Sequence, residues 1–285
     1  MHVFNAYIEL TKPRLTALVL ATAGLGFFMA SDHRSIQWLT MGWMLVGAGF
    51  LGGGVSALNQ YYERDFDALM QRTKSRPLPS KRIEPSQAML FGYLLSLAGL
   101  LILWIRVGIP CAVVGLVTMV SYVLFYTPLK RVTPLNTLVG AIPGALPTLI
   151  GWIAATGRIS WSGITLFLIL FTWQIPHFFS IAWIYKHDYA SSGFKMISLS
   201  DVDGKMTAGW MVWTSALLLG VSFLPIQAGL VGMLYALIVV SAGVAVLAYA
   251  VYVRLNDMRG MRLFLLLTIY YMLAVIVGMT TDKLL

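Results

Sequence analysis

Few residues in this chain are charged. Asp, Glu, Lys and Arg make up 11% of its 285 residues, whereas 59% belong to the hydrophobic set and the mean hydropathy is +0.80. Soluble domains carry about 25% charged residues, so this composition excludes a water-soluble globular protein. A bilayer-spanning helix needs about 20 mostly apolar residues, which leaves little chain for a domain outside the membrane. We therefore expect the function to reside in a membrane bundle and its short loops.

Cysteine is almost absent as well. The single cysteine, Cys111, excludes an intrachain disulfide and a cysteine-based metal cluster. Acidic residues are also few, 11 against 20 Lys and Arg, which gives a net charge of +9. Membrane proteins collect Lys and Arg in cytoplasmic loops, and the basic tail or aromatic-basic platform typical of nucleic-acid binding is missing. We expect the lipid bilayer, and no nucleic acid, among the partners.

Long apolar stretches predict nine membrane-spanning helices. Six lie between charges, glycines or prolines, at about 15–30, 36–58, 85–105, 107–129, 132–157 and 159–185. The uncharged run from Met206 to Val253 is too long for one helix, and Pro225 and Gly229 divide it into two. Residues 263–281 supply the ninth. The predicted fold is all-α, a polytopic bundle of nine transmembrane helices forming one domain over residues 1–285.

The basic residues test this count, because nine spans place alternate connections on one side of the membrane. The N-terminus and the connections after the second, fourth, sixth and eighth spans hold every Lys and Arg except Arg34, Arg106, Arg158 and Lys283. The positive-inside rule then places the N-terminus in the cytoplasm and the C-terminus outside. Most acidic residues follow the same partition, which indicates an active site on the cytoplasmic side.

The second span runs into a cluster of oxygen-bearing side chains. If its helix continues for two more turns, Asn59, Glu63 and Asp67 fall at positions i, i+4 and i+8 and share one face. An amide and two carboxylates form a hard ligand set suited to Mg²⁺, which usually shares its shell with water and substrate phosphates. Asp65 points elsewhere on a regular helix and joins this set only if the helix ends or distorts there.

Basic residues follow at once and supply the cations that a diphosphate site needs. Arg72 and Arg76 are again four residues apart, with Arg64 and Lys74 close by in the sequence. Two prolines then stop the helix and leave a basic loop that could close on an anion. The alternative is an ordinary positive-inside loop with scattered ion pairs. The aligned Asn59, Glu63 and Asp67 favour the site.

Two further connections on this side carry candidates. Lys130 and Arg131 form a tight basic turn after Tyr126, for which a topology anchor is the alternative interpretation. After the sixth span, Asp188 could add a metal ligand and Lys186 a phosphate contact.

Within the sixth span, a proline interrupts the apolar helix next to His177. An imidazole near membrane depth is a functional candidate, either as a ligand of haem iron or as a proton shuttle. The alternative is a histidine whose hydrogen bonds are satisfied by a neighbouring helix.

Together these motifs resemble the intramembrane prenyltransferases of the UbiA type, whose signature is Asn-xxx-Asp-xxx-Asp after the second of nine helices and a second polar motif after the sixth. The resemblance spans the whole chain and is strongest to the haem-directed branch. The stretches that carry it are Asn59 to Asp67, Asp67-Ala-Leu-Met-Gln-Arg72-Thr-Lys74-Ser-Arg76-Pro-Leu, Tyr126-Thr-Pro-Leu-Lys130-Arg131, Trp173-Gln-Ile-Pro-His177 and Asp188-Tyr189 before Gly193.

The sequence departs from that pattern at several positions. Glu63 stands where the family usually has Asp, which keeps the carboxylate but lengthens its reach by one methylene. The second motif offers Tyr185, Asp188 and Tyr189 in place of paired aspartates. Lys195 and Ser198 replace prolines that are common in the haem-directed branch.

The resemblance implies transfer of a farnesyl group from farnesyl diphosphate to a vinyl group of haem B, a substrate rather than a cofactor, to give haem O. It implies Mg²⁺ held by Asn59, Glu63, Asp67 and Asp188. Rings such as Tyr126, Tyr185 and Trp173 would stabilise an allylic cation. We therefore predict catalytic roles for Asn59, Glu63, Asp67, Arg72, Arg76, Lys130, Asp188 and Tyr189, and substrate-binding roles for Arg64, Lys74, Tyr126, Arg131, Trp173, His177, Tyr185 and Lys186.

The resemblance also implies a location and partners: the bacterial inner membrane, and haem A synthase or a terminal oxidase assembly. Two alternatives stay open. One is a relative that prenylates a quinone precursor or another aromatic ring. The other is a nine-span transporter, although transporters place polar residues near the bilayer midplane, whereas the acids here gather at one rim.

Overall fold

The computed structural model describes residues 2–285, and within that range the chain is helical without any β-strand. Nine of its helices are long and apolar enough to cross a membrane, which confirms the predicted all-α, multi-pass architecture. In chain order, spans 1 to 9 are Pro13–Ala30, Trp38–Asp67, Pro85–Val107, Ile109–Leu129, Asn136–Thr156, Trp161–Ile184, Lys205–Gln227, Met233–Leu255 and Met261–Leu284.

Short helices lie outside the spans. They are His2–Leu10 before span 1 and Lys186–Ser192 and Ile197–Ser200 between spans 6 and 7. Within span 7, the helix Lys205–Val221 is followed by the single turn Leu224–Gln227, which contains Pro225 of the predicted break. We call the end of the bundle where span 2 finishes at Asp67 the polar end.

Spans 3 and 4 both contain a stretch of π-helix, at Leu103–Val107 and Ser121–Tyr126. The predicted ranges 85–105 and 107–129 leave almost no separation between these two spans. The structure separates them at Gly108, whose φ of 143° suits glycine, and Pro110 begins the next helix. The short loop thus follows from a glycine and a proline placed two residues apart.

Small residues let several spans pack with their backbones close together. Span 1 packs on span 5, where a side chain at Gly26 would overlap the carbonyl oxygen of Thr148 and one at Gly151 would overlap that of Ala23. Such close approaches are how membrane helices associate without a hydrophobic driving force. They hold spans 1 and 5 beside each other, on two sides of the cavity described below.

At the opposite end of the bundle, the last turn of span 9 ties down two other helices. The Lys283 ammonium donates to the carbonyl oxygens of Phe28 and Met29, at 2.8 and 2.6 Å, and to Ser31. The adjacent Asp282 accepts from the backbone N–H of Gly232, just before span 8. Both contacts satisfy backbone groups that helix ends leave without partners.

Candidate active site

A cavity of about 410 Å³ opens at the polar end between spans 1, 2, 4, 5 and 6. Its mouth is polar and its deep part is apolar. The residues at the mouth are Lys12, Asn59, Glu63, Asp67, Arg72, Arg76, Tyr126, Lys130 and Tyr189. The deep part is lined by Val19, Ala48, Leu51, Val55, Thr118 and Ile150. A ligand with a charged head and a long apolar tail matches this division.

Span 2 supplies the acidic wall of the mouth. Its helix continues without interruption to Asp67, so Asn59, Glu63 and Asp67 share one face as the spacing predicted. The exposed fractions of these three side chains are 1%, 3% and 1%. Such deep burial is rare for carboxylates unless they are paired. Asp65 points away from this face and lies exposed, 3.7 Å from Arg64, so the regular helix keeps it out of the site.

Each buried carboxylate has a cation beside it. Lys130 Nζ lies 2.7 Å from Glu63 Oε1, and Arg76 Nη1 donates to Asp67 Oδ2 at 2.7 Å. Burial alone disfavours the charge of Lys130, but Glu63 and Tyr126 outweigh it and raise the pKa of Lys130 well above its ordinary value. Asp67 Oδ1 is buried and has no hydrogen-bond partner among the described residues.

A cation that sequence reasoning missed is Lys12. It occupies the left-handed region, with φ 48°, in the turn before span 1, and its Nζ donates to Asn59 Oδ1 at 2.9 Å. Burial lowers the pKa of Lys12 to about 7, and Arg76 acts in the same direction while Glu63 opposes it. No spacing rule connects positions 12 and 59, so only its place just before the first span could have drawn attention to it.

The orientation of the Asn59 amide follows from its second hydrogen bond. Thr127 Oγ1 donates its only proton to the carbonyl oxygen of Tyr122 at 2.9 Å, so it accepts from Asn59 Nδ2 at 3.2 Å. The Asn59 oxygen is therefore on the side of Lys12 and the cavity. Tyr122 also lines the cavity and was not predicted from the sequence.

The donors at this face suit a hard divalent cation. They comprise the amide oxygen of Asn59, the carboxylate of Glu63 and the unpartnered Oδ1 of Asp67. The described residues contain no group of three His, Cys, Asp or Glu placed to hold a metal by themselves. An ion here would thus need water or ligand phosphates to complete its shell, as Mg²⁺ usually does.

Asp188 does not join these ligands, contrary to the prediction. Its two carboxylate oxygens accept from the backbone N–H groups of Gln71 and Arg72, each at 3.3 Å, and it does not line the cavity. The carboxylate instead ties the helix after span 6 to the loop after span 2. Sequence reasoning could not see this, because the competing donors are backbone groups more than a hundred residues away.

Other residues of the second motif divide between the cavity and its surroundings. Tyr189 lines the cavity mouth, whereas Tyr185 lies outside it with Arg72 Cζ 4.9 Å from its ring centre. Lys186 donates to the carbonyl oxygen of Asp201 at 2.7 Å and does not reach the cavity. Of the residues at the span 4 turn, Tyr126 lines the mouth with Lys130 Nζ 4.5 Å from its ring centre.

Arg131 serves to hold the loops together at the polar end. Its Nη2 donates to the carbonyl oxygen of Tyr62 at 2.5 Å, and its Cζ lies 4.0 Å from the ring centre of Phe66. Arg64 turns back to the carbonyl oxygen of Tyr61, and Lys74 is exposed. None of the three predicted cations lines the cavity, so the structure does not place them against its ligand.

The structure also places Trp173 and His177 outside the cavity, between spans 6 and 9. Trp173 Nε1 donates to the carbonyl oxygen of Thr268 at 2.6 Å, and the two side chains of span 6 stack with ring centres 4.9 Å apart. The cavity face of span 6 carries Gln174 and Phe178 instead, which sequence reasoning missed. His177 is thus on the flank of the helix next to the cavity wall.

The tautomer of His177 follows from the protons available. Thr268 Oγ1 donates to the carbonyl oxygen of Leu265 at 2.7 Å, so it can only accept from His177 Nδ1, 2.8 Å away. Nδ1 then carries the proton in a neutral ring and Nε2 presents a lone pair. Histidines that ligate metals typically make such a hydrogen bond through their other ring nitrogen.

Comparison with known proteins gives a consistent result. The model of the UbiA prenyltransferase family matches residues 17–279. A protoheme IX farnesyltransferase of Solibacter usitatus is 45% identical over 80% of this chain and 81% of the relative. One of Myxococcus xanthus is 39% identical over 92% and 90%.

Solved structures share the fold. A digeranylgeranylglyceryl phosphate synthase superimposes with a TM-score of 0.83 at 15% identity, covering 99% of both chains. A UbiA homolog from Archaeoglobus fulgidus bound to GPP and Mg²⁺ has a TM-score of 0.65 at 14% identity, over 96% of this chain and 99% of that one. With the family match over most of its length, this multi-pass membrane protein belongs to the UbiA prenyltransferase family.

Proposed function

We propose that this chain transfers the farnesyl group of farnesyl diphosphate to a vinyl group of protohaem IX (haem B), with water supplying the hydroxyl group of the hydroxyethylfarnesyl product haem O. The carbon–oxygen bond to diphosphate breaks, and a carbon–carbon bond to the vinyl group forms. The observation that carries the proposal is the cavity itself, because buried carboxylates and cations at its mouth lead into an apolar deep part. The named relatives support the choice of donor and acceptor.

Charge balance at the mouth supports a diphosphate as the group bound there. The mouth carries four basic side chains and two carboxylates; the basic side chains are Lys12, Arg72, Arg76 and Lys130. Glu63 and Asp67 hold two of those cations in place, which leaves an excess of positive charge for the phosphates. Charge-assisted hydrogen bonds from these groups would strengthen as the leaving diphosphate gains negative charge.

Mg²⁺ fits the same wall, with Asn59, Glu63 and Asp67 as its protein ligands. When bound, it would neutralise phosphate oxygens and so make diphosphate a better leaving group. The donor set supports this assignment, because all three groups offer oxygen and Asp67 Oδ1 is buried without a partner. A homolog from Archaeoglobus fulgidus with the same fold is bound to GPP and Mg²⁺, which supports a metal in the proposed reaction.

The allylic cation needs a dry, aromatic surrounding. The rings of Tyr122 and Tyr126 contact each other edge to face at the cavity wall, with ring centres 5.0 Å apart, and Phe178 lines the cavity from span 6. Ring faces stabilise a nearby cation, and apolar walls keep water from capturing it before the acceptor reacts.

For the acceptor, we propose that His177 binds the iron of haem B through Nε2. Nε2 carries the free lone pair of the neutral ring, so it is the nitrogen available to a metal. His177 directly precedes Phe178, which lines the cavity. A porphyrin bound to His177 would therefore lie next to the donor. A quinone precursor as acceptor would leave His177 without this role.

Orientation and partners follow from the same proposal. We propose that the polar end and the N-terminus face the cytoplasm of a bacterial inner membrane, because most Lys and Arg residues lie at that end. The product would pass to haem A synthase or to a terminal oxidase assembly. A transporter is disfavoured, because most acidic residues are at the polar end of the bundle and not near its middle.

The decisive experiment is mass spectrometry of the products formed by purified protein in detergent with haem B, farnesyl diphosphate and Mg²⁺, with EDTA in a parallel sample. A haem O mass that disappears with EDTA is the expected result. Diphosphate release only when an aromatic quinone precursor replaces haem would move the acceptor to the quinone branch. If neither product forms, the proposed reaction is refuted.

A further inference from the structure

A second cavity, of about 480 Å³, lies at the polar end beside the active-site cavity. It opens where span 6 ends and span 9 begins, and it shares no lining residue with the active-site cavity. We call it the basic pocket; its lining residues are Trp183, Ile184, Lys186, His187, Gly260, Met261 and Arg262. Among the described residues, three basic side chains and no acidic one line it. The pocket thus favours a negatively charged ligand.

The basic side chains of this pocket have donors to offer. Arg262 is exposed and forms no ion pair with a described residue. Lys186 is held at the pocket by the carbonyl oxygen of Asp201, 2.7 Å from its Nζ, and by the ring of Trp183, whose centre is 4.5 Å away. An ammonium group has three donors, so Lys186 keeps two for another acceptor. The guanidinium of Arg262 adds a fork of N–H donors that matches a carboxylate.

The basic pocket lies on the same faces of spans 6 and 9 that meet at His177. Ile184 follows His177 by seven residues and shares its side of span 6. Met261 precedes Thr268 by seven residues and shares its side of span 9. His177 and Thr268 are themselves joined by a hydrogen bond of 2.8 Å. Seven residues rise about 10.5 Å along a helix, so the pocket is two turns from His177 toward the polar end.

A haem has the two features that this arrangement can bind. Its iron takes an imidazole ligand, and one edge of the porphyrin carries two propionate carboxylates. Half the width of the ring and the length of a propionate chain separate the iron from these carboxylates, which is comparable with the two turns between His177 and the pocket. Carboxylates are costly within the bilayer and need water or cations. The polar end of spans 6 and 9 supplies both.

We propose that the basic pocket binds the propionate carboxylates of the haem acceptor, with Arg262 as the main donor and Lys186 and His187 beside it. This inference rests on the proposed function and adds a substrate-binding subsite to it. The subsite orients the porphyrin, because iron bound to His177 and propionates bound to Arg262 fix two points of one rigid ring. It also selects a porphyrin with free carboxylates over an esterified one.

The test is a visible-light titration of the purified protein in detergent with haem B and with its dimethyl ester, in which both propionates are uncharged. Partition into detergent differs between the two ligands but is the same for every variant, so the ratio of their dissociation constants is compared between variants. Because charge-assisted hydrogen bonds are lost, Arg262→Gln should lower the preference for haem B over the ester by about tenfold or more. Haem B should bind more weakly, and the ester should bind as before.

The matched control is Arg259→Gln, since Arg259 is exposed in the same connection, three residues before Arg262, but does not line the pocket. Its preference should equal that of the unmodified chain. Arg262→Lys keeps the charge without the paired donors, so we expect an intermediate preference. The same preference in the unmodified chain and in folded Arg262→Gln would overturn the proposal and leave the pocket to another anion, such as a lipid phosphate.

Separate measurements of binding and turnover distinguish this inference from the proposed reaction. The titration contains no farnesyl diphosphate, so a preference that depends on Arg262 supports the subsite even when haem O is not formed. Formation of haem O, together with a preference that Arg262→Gln does not change, would contradict the subsite and leave the reaction intact. If the unmodified chain does not bind haem B at all, the subsite is refuted.

Discussion

Arg76 Nη1 donates to Oδ2 of Asp67 at 2.7 Å, while Oδ1 of the same carboxylate is buried without a hydrogen-bond partner. One oxygen thus fixes the orientation of the side chain and the other stays free at the cavity wall. A buried carboxylate oxygen is costly unless something binds it. We infer that the cation of the donor complex binds there.

This relationship predicts the effect of Asp67→Asn, which keeps the shape of the side chain but removes its charge. We expect turnover to fall by about 100-fold or more, because several kcal/mol of charge stabilisation are lost at a metal ligand. Raising the Mg²⁺ concentration should recover part of the rate. The measurement is the initial rate of product formation as a function of Mg²⁺.

The control is Asp65→Asn, two residues earlier on the same helix but exposed and off the cavity face. It should keep the rate and Mg²⁺ dependence of the unmodified chain. Melting temperatures of both variants establish that the fold is intact. Full activity in folded Asp67→Asn would refute the metal assignment.

Local periodicity made the nine spans and the shared face of Asn59, Glu63 and Asp67 predictable. The helix of span 2 continues for two turns past its apolar stretch, so a spacing of four residues translates directly into alignment. The boundary between spans 3 and 4 was also predictable, because Gly108 and Pro110 are residues that typically end one helix and begin the next.

Contacts between distant segments were not predictable. Lys12 meets Asn59 across 47 positions, and Asp188 meets Gln71 across 117, so no period connects them. Asp188 in particular has the residue type of a metal ligand, yet backbone donors of the facing loop bind it. Residue type indicated possible chemistry here, whereas packing decided which groups face the cavity.

Lys12 is expected to bind the donor diphosphate. Because hydrogen bonds to charged groups contribute about 1.5–3 kcal/mol, Lys12→Met should raise the KM for farnesyl diphosphate by about tenfold or more. Arg14→Met is the comparison, since Arg14 lies two residues on but is exposed and outside the cavity. Equal KM values for the two variants would show that Lys12 only orients Asn59.

The bond between Thr268 and His177 predicts a spectroscopic result. Thr268→Val removes the acceptor that keeps the proton on Nδ1, so Nε2 loses its fixed lone pair. Loss of the hydrogen-bond partner of a metal-ligating histidine costs about 10–100-fold in metal affinity. We expect weaker haem binding in Thr268→Val, near-normal binding in Thr268→Ser, and loss of the Soret shift in His177→Ala.

The measurement is a visible-light titration of each purified variant with haem B in the absence of farnesyl diphosphate. Thr268→Ser keeps an oxygen at the same position and so separates the hydrogen bond from simple packing. A Soret shift in His177→Ala identical to that of the unmodified chain would rule out His177 as the iron ligand. Turnover need not be measured for this conclusion.

Lys283 joins the ends of spans 1 and 9 far from the cavity, so its loss should reduce stability and leave the chemistry intact. Its ammonium group donates to carbonyl oxygens of Phe28, Met29 and Ser31 at the end of span 1, where the last carbonyl groups of a helix have few backbone partners. Lys283→Met keeps most of the side-chain length and removes all three bonds.

A group of charged hydrogen bonds worth about 1.5–3 kcal/mol corresponds to a melting temperature lower by roughly 3–10 °C in a chain of this size. The measurement is thermal unfolding in detergent, alongside Arg158→Met, an exposed cation at the same end. Because Lys283 is at the opposite end from Asp67, both variants should keep the KM for farnesyl diphosphate at low temperature. A changed KM in Lys283→Met would show that the position of span 1, and through it Lys12, depends on this remote contact.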